Sequence, residues 1–300
     1  MPVVAERMLD GPIIGADPTT GFGANVNGPS LIRVPDWIRD PLGRYYLYFA
    51  HHLGGYIRLA YADALRGPWK IHDPGVLHLS HCPQFHDHIA SPDVHVDDET
   101  RSIRMYFHGV SGDTPPDDPP QSTSVAISHD GLAFQADPLL LGDSYFRVWQ
   151  GRLACFAVSL SGVLWRSATG TGRFERGVRL SGLPESTRHL AVTRRGGHLW
   201  FAWSVIGDCP ERIFIGRVDE AVDWRDWALS DVQELLRPDR PWEGADAPLL
   251  ASRVGMASER VHQLRDPAFF AENGTFYLIY SVAGESGLAL ARLHFEGAMT

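Results

Sequence analysis

The sequence has few of the features that mark secreted, membrane-spanning or nucleic-acid-binding proteins. Its three cysteines, Cys82, Cys155 and Cys209, are an odd number without close spacing, so we expect buried thiols rather than disulfides or a cysteine-rich zinc site. No apolar run is long enough to cross a bilayer, and the N-terminus lacks the apolar stretch of a signal peptide. The formal charge of -9 is spread along the chain without a basic stripe. We therefore expect a cytoplasmic protein that binds neither nucleic acid nor a membrane.

Long amphipathic helices are also missing, and the only helical candidates are short connectors near residues 219–227. What recurs instead is a unit of strand, hairpin, strand, loop and strand. The unit occurs at residues 28–61, 91–128, 145–167, 189–218 and 266–293, the third and fourth copies being the weaker ones. In the last copy an Asn-Gly pair at 273–274 lies between two β-rich runs, which indicates a tight hairpin.

Five such units predict an all-β fold, a five-bladed β-propeller. We expect residues 1–300 to form one domain, since a chain with 44% hydrophobic residues can bury one continuous core. The predicted blades cover approximately residues 25–80, 88–142, 143–182, 186–240 and 262–296. A two-sheet sandwich is the alternative, because short strands with regular turns suit both folds, but the repeated order of elements favours the propeller. The Pro- and Asp-rich segment 113–120 is expected to be a loop without internal order.

Polar residues collect at two kinds of position that a propeller brings to the same mouth of its channel: the starts of the inner strands, and the loops between second and third strands. Glu243, an acid beside an aromatic ring, is a further candidate. The predicted substrate-binding residues are Asn27, His51, His52, Asp87, His88, His108, Arg188, His189, Glu243, His262, Arg265 and Glu285. Because neighbours on a strand face opposite ways, we expect only one ring of the pair His51 and His52 to contact a ligand.

Three acids from three blades, Asp93, Glu211 and Asp266, could flank a sugar and are the predicted catalytic residues. Cleavage of a glycosidic bond needs one carboxyl group to protonate the leaving oxygen and another to activate water or attack carbon. Structural roles are the alternatives for two of them. Asp266 could pair with Arg265 or cap a turn, and Glu211 could form an ion pair with Arg212.

Residues 266–270, the Asn-Gly hairpin and residues 276–280 resemble the blade opening of glycoside hydrolase family 43, and residues 91–98 are similar to its second recurring pattern. The resemblance covers most of the chain in short motifs. It implies a five-bladed propeller with an Asp base, an orienting Asp and a Glu acid at inner-strand starts. In this sequence the first blade opens on Asn-Gly-Pro at 27–29 and the fourth on Arg-His at 188–189, where the family has its first Asp and its Glu.

Two assignments of the acids follow from the resemblance. In one, the acids have moved between blades, so that Asp266 is the base, Asp93 the orienting residue and Glu211 the acid. In the other, the chain follows a related family of anhydrogalactosidases, which the motifs also resemble and which is implied to use a histidine as acid. His189 or His88 would then be the donor, since imidazole titrates near neutrality.

The expected function is therefore that of a glycoside hydrolase, exo-acting on a small or furanose-type glycoside. A glycoside phosphorylase, with Arg188, Arg212 and Arg265 binding phosphate, and a non-catalytic carbohydrate-binding propeller are the alternatives. The expected partner is a small carbohydrate, and no feature indicates an oligomeric state. No cofactor is required, although a calcium or sodium ion could lie in the channel. Histidines and an aspartate at 81–88 have the chemistry of zinc ligands, but their spacing matches no defined motif, and no metal site is predicted.

Overall fold

The computed structural model describes residues 2–20, 22–112 and 121–296, and in these ranges the chain forms five antiparallel sheets. The predicted loop at 113–120 lies outside the described residues. Two strands precede the first repeated unit, β1 (Val3–Arg7) and β2 (Ile14–Gly15). The strands of blades 1 and 2 are β3 (Asn27–Arg33), β4 (Tyr45–Ala50), β5 (Tyr56–Ala62), β6 (Lys70–His78), β7 (His86–Asp97), β8 (Ser102–Val110), β9 (Gln121–Ser128), β10 (Gln135–Ala136) and β11 (Gly142–Asp143).

The remaining three blades follow in chain order. Their strands are β12 (Arg147–Gln150), β13 (Cys155–Val158), β14 (Val163–Ser167), β15 (Glu175–Arg179), β16 (Thr187–Arg195), β17 (His198–Val205), β18 (Ile213–Asp219), β19 (Ser230–Leu236), β20 (Arg265–Glu272), β21 (Thr275–Val282) and β22 (Gly287–Phe295). Short 3-10 helices lie at Leu79–His81, Trp224–Asp226 and Pro241–Glu243. The second of these falls in the predicted helical connector, where the Asp223 side chain accepts a hydrogen bond from the backbone of Arg225.

The hydrophobic core shows how the sheets are arranged. Buried side chains form five clusters, and each cluster joins two neighbouring sheets: blades 1 and 2, 2 and 3, 3 and 4, 4 and 5, and 5 and 1. Five sheets with five shared cores form a closed ring, because the last blade packs on the first. The five-bladed β-propeller predicted from the repeats is confirmed.

The N-terminal strand closes this ring, a feature that the repeats did not predict. Strand β1 adds to the outer edge of blade 5 by pairing with β22, with Val3 opposite Phe295 and Arg7 opposite Ala291. The Arg7 guanidinium donates to both carboxylate oxygens of Glu243, at 2.8 and 2.9 Å. The first and last strands of the chain therefore lie in one sheet, and a buried ion pair helps to hold them there.

Local turn chemistry agrees with the sequence, but one buried-thiol prediction is wrong. Asn273 and Gly274 both have positive φ, 50° and 76°, and connect β20 to β21 as the predicted tight hairpin. Cys82 and Cys155 are buried free thiols, whereas Cys209 is exposed because it lies in the surface loop between β17 and β18. None of the helices in the described part of the chain has the length and apolar character that crossing a membrane requires.

Candidate active site

The inner strands of four blades open with the same irregularity. In β3, β7, β16 and β20 the pairing register shifts across two residues before regular pairing resumes, and such a bulge re-aims a side chain. The first bulged residues are Gly28, Ser91, Arg188 and Asp266. In blade 3, Tyr145 lies just before β12 with a φ of 65°, a left-handed value close to those of Gly28, Ser91 and Asp266. The openings therefore present corresponding residues at one face of the ring.

A cavity of about 220 Å³ lies at this face, where the inner strands begin. Six of the predicted site residues line it: Asn27, His52, His88, His108, Arg188 and His189. The other lining residues are Leu53, Ala90, Ser91, Gln121, Tyr145, Leu160, Ile206, Val254 and Gly255. Within the described residues the lining is thus rich in imidazoles and holds no carboxylate side chain; the acids lie behind it.

The closest of these acids is Asp266, which is fully buried and contacts Nδ1 of His189 through Oδ1. Its other oxygen accepts a hydrogen bond from the Ser281 hydroxyl at 3.0 Å. Burial, with the positive charges of Arg188 and further arginines, holds the pKa of His189 well below its usual value. The ring is therefore neutral, and we assign its hydrogen to Nδ1, the nitrogen that contacts Asp266. That tautomer leaves a lone pair on Nε2, on the opposite edge of the ring.

The His189 ring is held in place from the side as well. Tyr145 stacks on it, with ring centroids 4.5 Å apart and an interplanar angle of 20°. Burial raises the pKa of Tyr145 to about 12, so its hydroxyl is neutral, and it accepts a hydrogen bond from Arg147 at 2.8 Å. Tyr145 also approaches His108, whose pKa is lowered to about 3 by burial and by the neighbouring charges of His88 and Arg147. Two of the imidazoles in the cavity are therefore uncharged at neutral pH.

Two further histidines of the cavity direct Nδ1 at a carboxylate. His88 pairs with Asp87 at 3.0 Å, and His52 lies 3.5 Å from Glu285. Burial opposes ionisation of Glu285, but His52, Asn25 and Asn27 more than offset it and lower the pKa of Glu285 to about 2. Three imidazole rings of one cavity thus contact carboxylates: His189 and His52 contact the buried Asp266 and Glu285, and His88 contacts the exposed Asp87. This is how proteins fix a ring and its tautomer for proton transfer.

A buried network of charged side chains lies on the side of the cavity that blades 4 and 5 form. Glu211 is 0% exposed; it accepts hydrogen bonds from Arg188 at 2.8 Å and Ser204 at 2.7 Å, and lies 3.4 Å from Arg265. Arg265 in turn donates to Glu285 at 3.0 Å. The suggested ion pair between Glu211 and Arg212 does not form, because Arg212 points outward to Asp208 and Glu234. Glu211 neutralises buried arginines and does not reach the cavity.

Asp93 also lies outside the cavity. It lies directly after the bulge of β7, accepts a hydrogen bond from the Val148 amide of blade 3 at 2.7 Å, and pairs with His95 of its own strand at 2.9 Å. Burial raises the pKa of Asp93, but His95, Arg147 and the Val148 amide outweigh it, and the net shift is downward. These placements argue against the catalytic roles predicted for Asp93 and Glu211.

Six predicted substrate-binding residues are not part of the cavity lining: Asp87, Arg265 and Glu285, whose ion pairs are described above, and Glu243, His262 and His51. Glu243 is buried between Arg7 and Tyr280 at the N-terminal closure. His262 contacts the Pro238 carbonyl through Nε2 at 3.2 Å. Of the adjacent pair at 51–52, only His52 is a lining residue. Predicted polar residues on connecting loops thus separate into those that face the channel and those that join blades.

The sequence has a relative whose biochemistry is not known. No protein-family model matches the chain. It is 36% identical over 300 residues to an uncharacterized protein of Acanthamoeba polyphaga mimivirus, and the match covers 90% of this chain and 83% of the viral protein. The chain belongs to the same family as this viral protein.

Several solved structures that this chain is similar to are glycoside hydrolases of family GH43. A GH43 enzyme from Xanthomonas citri complexed with xylose has a TM-score of 0.63 and 13% identity, over 99% of this chain and 92% of that chain. A GH43 β-xylosidase/α-arabinofuranosidase from a compost microbial metagenome, in complex with xylotriose, has a TM-score of 0.63 and 11% identity, over 97% and 94%. An α-L-arabinanase of Cellvibrio cellulosa complexed with arabinohexaose has 0.59 and 12%, over 91% and 93%. The family member thus shares the five-bladed fold of GH43 enzymes and is divergent in sequence.

Blade 1 of this chain has no room at its opening for the acid that the resemblance to GH43 implies there. Gly28 occupies the position that corresponds to Asp266, with a φ of 54°. A Cβ atom on Gly28 would lie 2.8 Å from the Cα atom of Ser91 in blade 2, closer than such atoms approach. In the fourth blade the corresponding residue is Arg188, committed to Glu211. Among the strand openings that the structure describes, only that of blade 5 thus presents an acid, Asp266, and blades 1 and 4 lack the acids that the resemblance implies.

Sequence reasoning missed Tyr145 and the aliphatic part of the cavity. Tyr145 lies two residues before the third inner strand, at the opening where the other blades present their site residues, and this position was the available signal. The aliphatic lining comes from loops with no motif. Among residues 2–20, 22–112 and 121–296, no three His, Cys, Asp or Glu side chains lie close enough together to hold a metal ion.

Proposed function

We propose that the protein is an exo-acting glycosidase for a small or furanose-type glycoside, in which His189, oriented by Asp266, transfers the proton. The observation that carries the proposal is the contact of Nδ1 of His189 with the buried Asp266, on a ring that lines the cavity. Proteins of similar fold bind xylose, xylotriose and arabinohexaose, which supports a sugar as the ligand. A likeness in fold does not fix the chemistry, so the residues must supply it.

The size of the cavity supports action at a chain end. Its volume of about 220 Å³ is below the roughly 300–1,000 Å³ of pockets that enclose a drug-sized ligand. One sugar ring can enter, and the remainder of the substrate must stay outside. The buried amide of Asn27 and the rings of His52 and His108 offer hydrogen-bond partners to the hydroxyl groups of that sugar.

The proposed reaction uses two histidine–aspartate pairs. Nε2 of the neutral His189 accepts a proton from water as the water oxygen bonds to the anomeric carbon. The glycosidic carbon–oxygen bond breaks, and the leaving oxygen takes a proton from His88, whose Nδ1 lies 3.0 Å from the Asp87 carboxylate. Asp266 is a positioning residue, because it fixes the tautomer of His189 and stabilises the imidazolium that forms. General acid–base catalysis of this kind contributes roughly 10²–10⁴-fold in rate.

The arginines favour hydrolysis over phosphorolysis. A phosphorylase needs a guanidinium free to bind phosphate in place of water. Arg188 donates to Glu211 and to the carbonyl groups of Arg253 and Gly255. Arg265 and Arg212 are bound to carboxylates at 3.0 and 2.9 Å. To bind phosphate, each of the three arginines would have to give up these partners, which would cost free energy.

A non-catalytic sugar-binding protein is the second candidate function. The observation that favours it is the cavity lining, which within the described residues carries no carboxylate. In such a protein the histidine–acid pairs would serve as fixed hydrogen-bond donors and acceptors for a sugar. The two functions differ in whether turnover accompanies binding.

Sugar release from a panel of aryl glycosides and natural oligosaccharides, with and without phosphate, tests the proposal. We expect phosphate-independent turnover. Asp266→Asn should lower kcat far more than it changes KM and should shift the pH profile, which a purely structural loss would not do. Asp143→Asn, at a half-buried aspartate outside the cavity lining, is the matched control. Sugar binding without turnover on the whole panel would support the binding protein instead, and turnover that requires phosphate would support a phosphorylase.

A further inference from the structure

The outer part of the same cavity is aliphatic. Four loops contribute one aliphatic side chain each: Leu53, Leu160, Ile206 and Val254, which we call the aliphatic rim. They come from blade 1, blade 3, blade 4 and the connection into blade 5. Leu53 is 60% and Val254 82% exposed, whereas Leu160 and Ile206 are half-buried. Among the described residues, the rim therefore lies along the entrance on the side of blades 1, 3, 4 and 5, above the buried polar residues.

Three of the four rim residues lie on segments that hydrogen bonds hold to the framework of the site. The Val254 segment is fixed from below by Arg188, which donates to the Arg253 carbonyl at 2.5 Å, and by Arg265, which donates to the Gly255 carbonyl at 3.1 Å. The Ile206 amide donates to the Ser186 carbonyl at 2.8 Å, and the Leu160 amide to the Ser144 carbonyl at 3.1 Å. Aliphatic side chains kept exposed at fixed positions around a pocket mark a surface that an apolar ligand group covers.

We propose that the substrate is a sugar joined to an apolar aglycone, an alkyl, terpenoid or aryl group, which lies on the aliphatic rim while the sugar occupies the imidazole-lined part. This inference rests on the proposed function, because it assigns the leaving group of the proposed glycosidase. A second sugar at this place would set its hydroxyl groups against aliphatic carbon and lose their hydrogen bonds to water. An apolar aglycone has no hydrogen bonds to water to lose, and its contact with Leu53 and Val254 removes apolar surface from water on both sides.

Paired alkyl glycosides separate this effect from leaving-group chemistry. Methyl and n-hexyl glycosides of one sugar have leaving alcohols of nearly equal acidity, so their ratio of kcat/KM reports contact with the alkyl chain. Each buried methylene is worth about fourfold. With two of the five additional methylenes buried, the hexyl glycoside should be favoured at least tenfold. The pairs are made for D-xylose, L-arabinose, D-galactose and D-glucose in both anomers.

Three variants locate the effect. Leu53→Ser and Val254→Ser should each lower the hexyl-to-methyl ratio by about fourfold or more. Leu153→Ser is the matched control, since Leu153 is 90% exposed on a hairpin of blade 3 outside the cavity lining, and it should leave the ratio unchanged.

The outcomes separate failure of this inference from failure of the proposed function. Turnover of both glycosides with a ratio near one, or a ratio that neither rim variant changes, overturns the apolar aglycone while the glycosidase stands. Absence of turnover on every pair overturns the glycosidase. In that case, calorimetric binding of the same pairs tests whether the aliphatic rim contacts the alkyl chain. Tighter binding of the hexyl glycoside that is lost in Val254→Ser supports this contact, and equal binding of the two glycosides overturns it.

Discussion

His108 should make the protein less stable in acid by a predictable amount. The side chain is buried, its Nδ1 has no hydrogen-bond partner among the described residues, and its pKa falls from the ordinary 6.5 to about 3. Between these two values the unfolded chain binds a proton at residue 108 and the folded protein does not. Lower pH therefore favours unfolding, so the stability associated with a neutral His108 is full above pH 6.5 and is lost progressively below it.

The magnitude follows from the width of this window. Two pH units below 6.5, at about pH 4.5, the loss from His108 alone is about 3 kcal/mol, since one pKa unit is worth ~1.4 kcal/mol. In His108→Gln this contribution is absent. The assay is urea unfolding at pH 7 and about pH 4.5, with the free energy of unfolding compared between the two. The decrease should be about 3 kcal/mol smaller in the variant than in the wild type.

His129→Gln controls for the loss of a histidine as such. His129 is exposed and contacts the Arg101 carbonyl, so this variant should show the same decrease as the wild type. If His108→Gln and the wild type lose equal stability between the two pH values, the buried neutral imidazole in the cavity is refuted.

Three further outcomes are expected. Gly28→Ala should lower the free energy of unfolding by about 3 kcal/mol, because φ is 54° and the new Cβ meets the backbone of Ser91; a cost near zero in urea unfolding would show that the opening of blade 1 has room for an acid. Glu243→Gln should cost about 3 kcal/mol by the same assay, since it breaks a buried ion pair with Arg7 at the ring closure; an unchanged midpoint would exclude that role. In the pH profile of kcat/KM, the acidic limb that reports His189 should lie below pH 6.5, and a midpoint at or above 6.5 would contradict the neutral base.

The fold was predictable because its signals are local. A hairpin such as Asn273-Gly274 is formed by residues that are neighbours in the sequence, and so is each Pro-containing strand opening, at 29, 92 and 267. The repetition of these local signals defines the blades. The ring closure was not predictable in the same way. Val3 pairs with Phe295, which lies at the other end of the sequence. The five residues of the edge strand β1 contain no motif that indicates their partner strand.

The site was only partly predictable, because pairing between blades decides which polar side chains remain free. Their positions in the repeats predicted that His52, His88, His108 and His189 lie at one mouth of the channel, and the four rings line one cavity. It did not distinguish Asp266, at a bulge and in contact with His189, from Asp93, directly after a bulge and bonded to the Val148 amide. Those choices depend on register shifts that a sequence motif does not encode.

The role of His189 in proton transfer is tested most directly by turnover of His189→Gln on the best glycoside of the panel. The account predicts that kcat/KM falls by roughly 10²–10⁴-fold while the sugar still binds. His294→Gln, which removes an exposed histidine paired with Glu6 on blade 5, should retain wild-type turnover. Wild-type turnover in His189→Gln would contradict the account, because the proton would then move through another group.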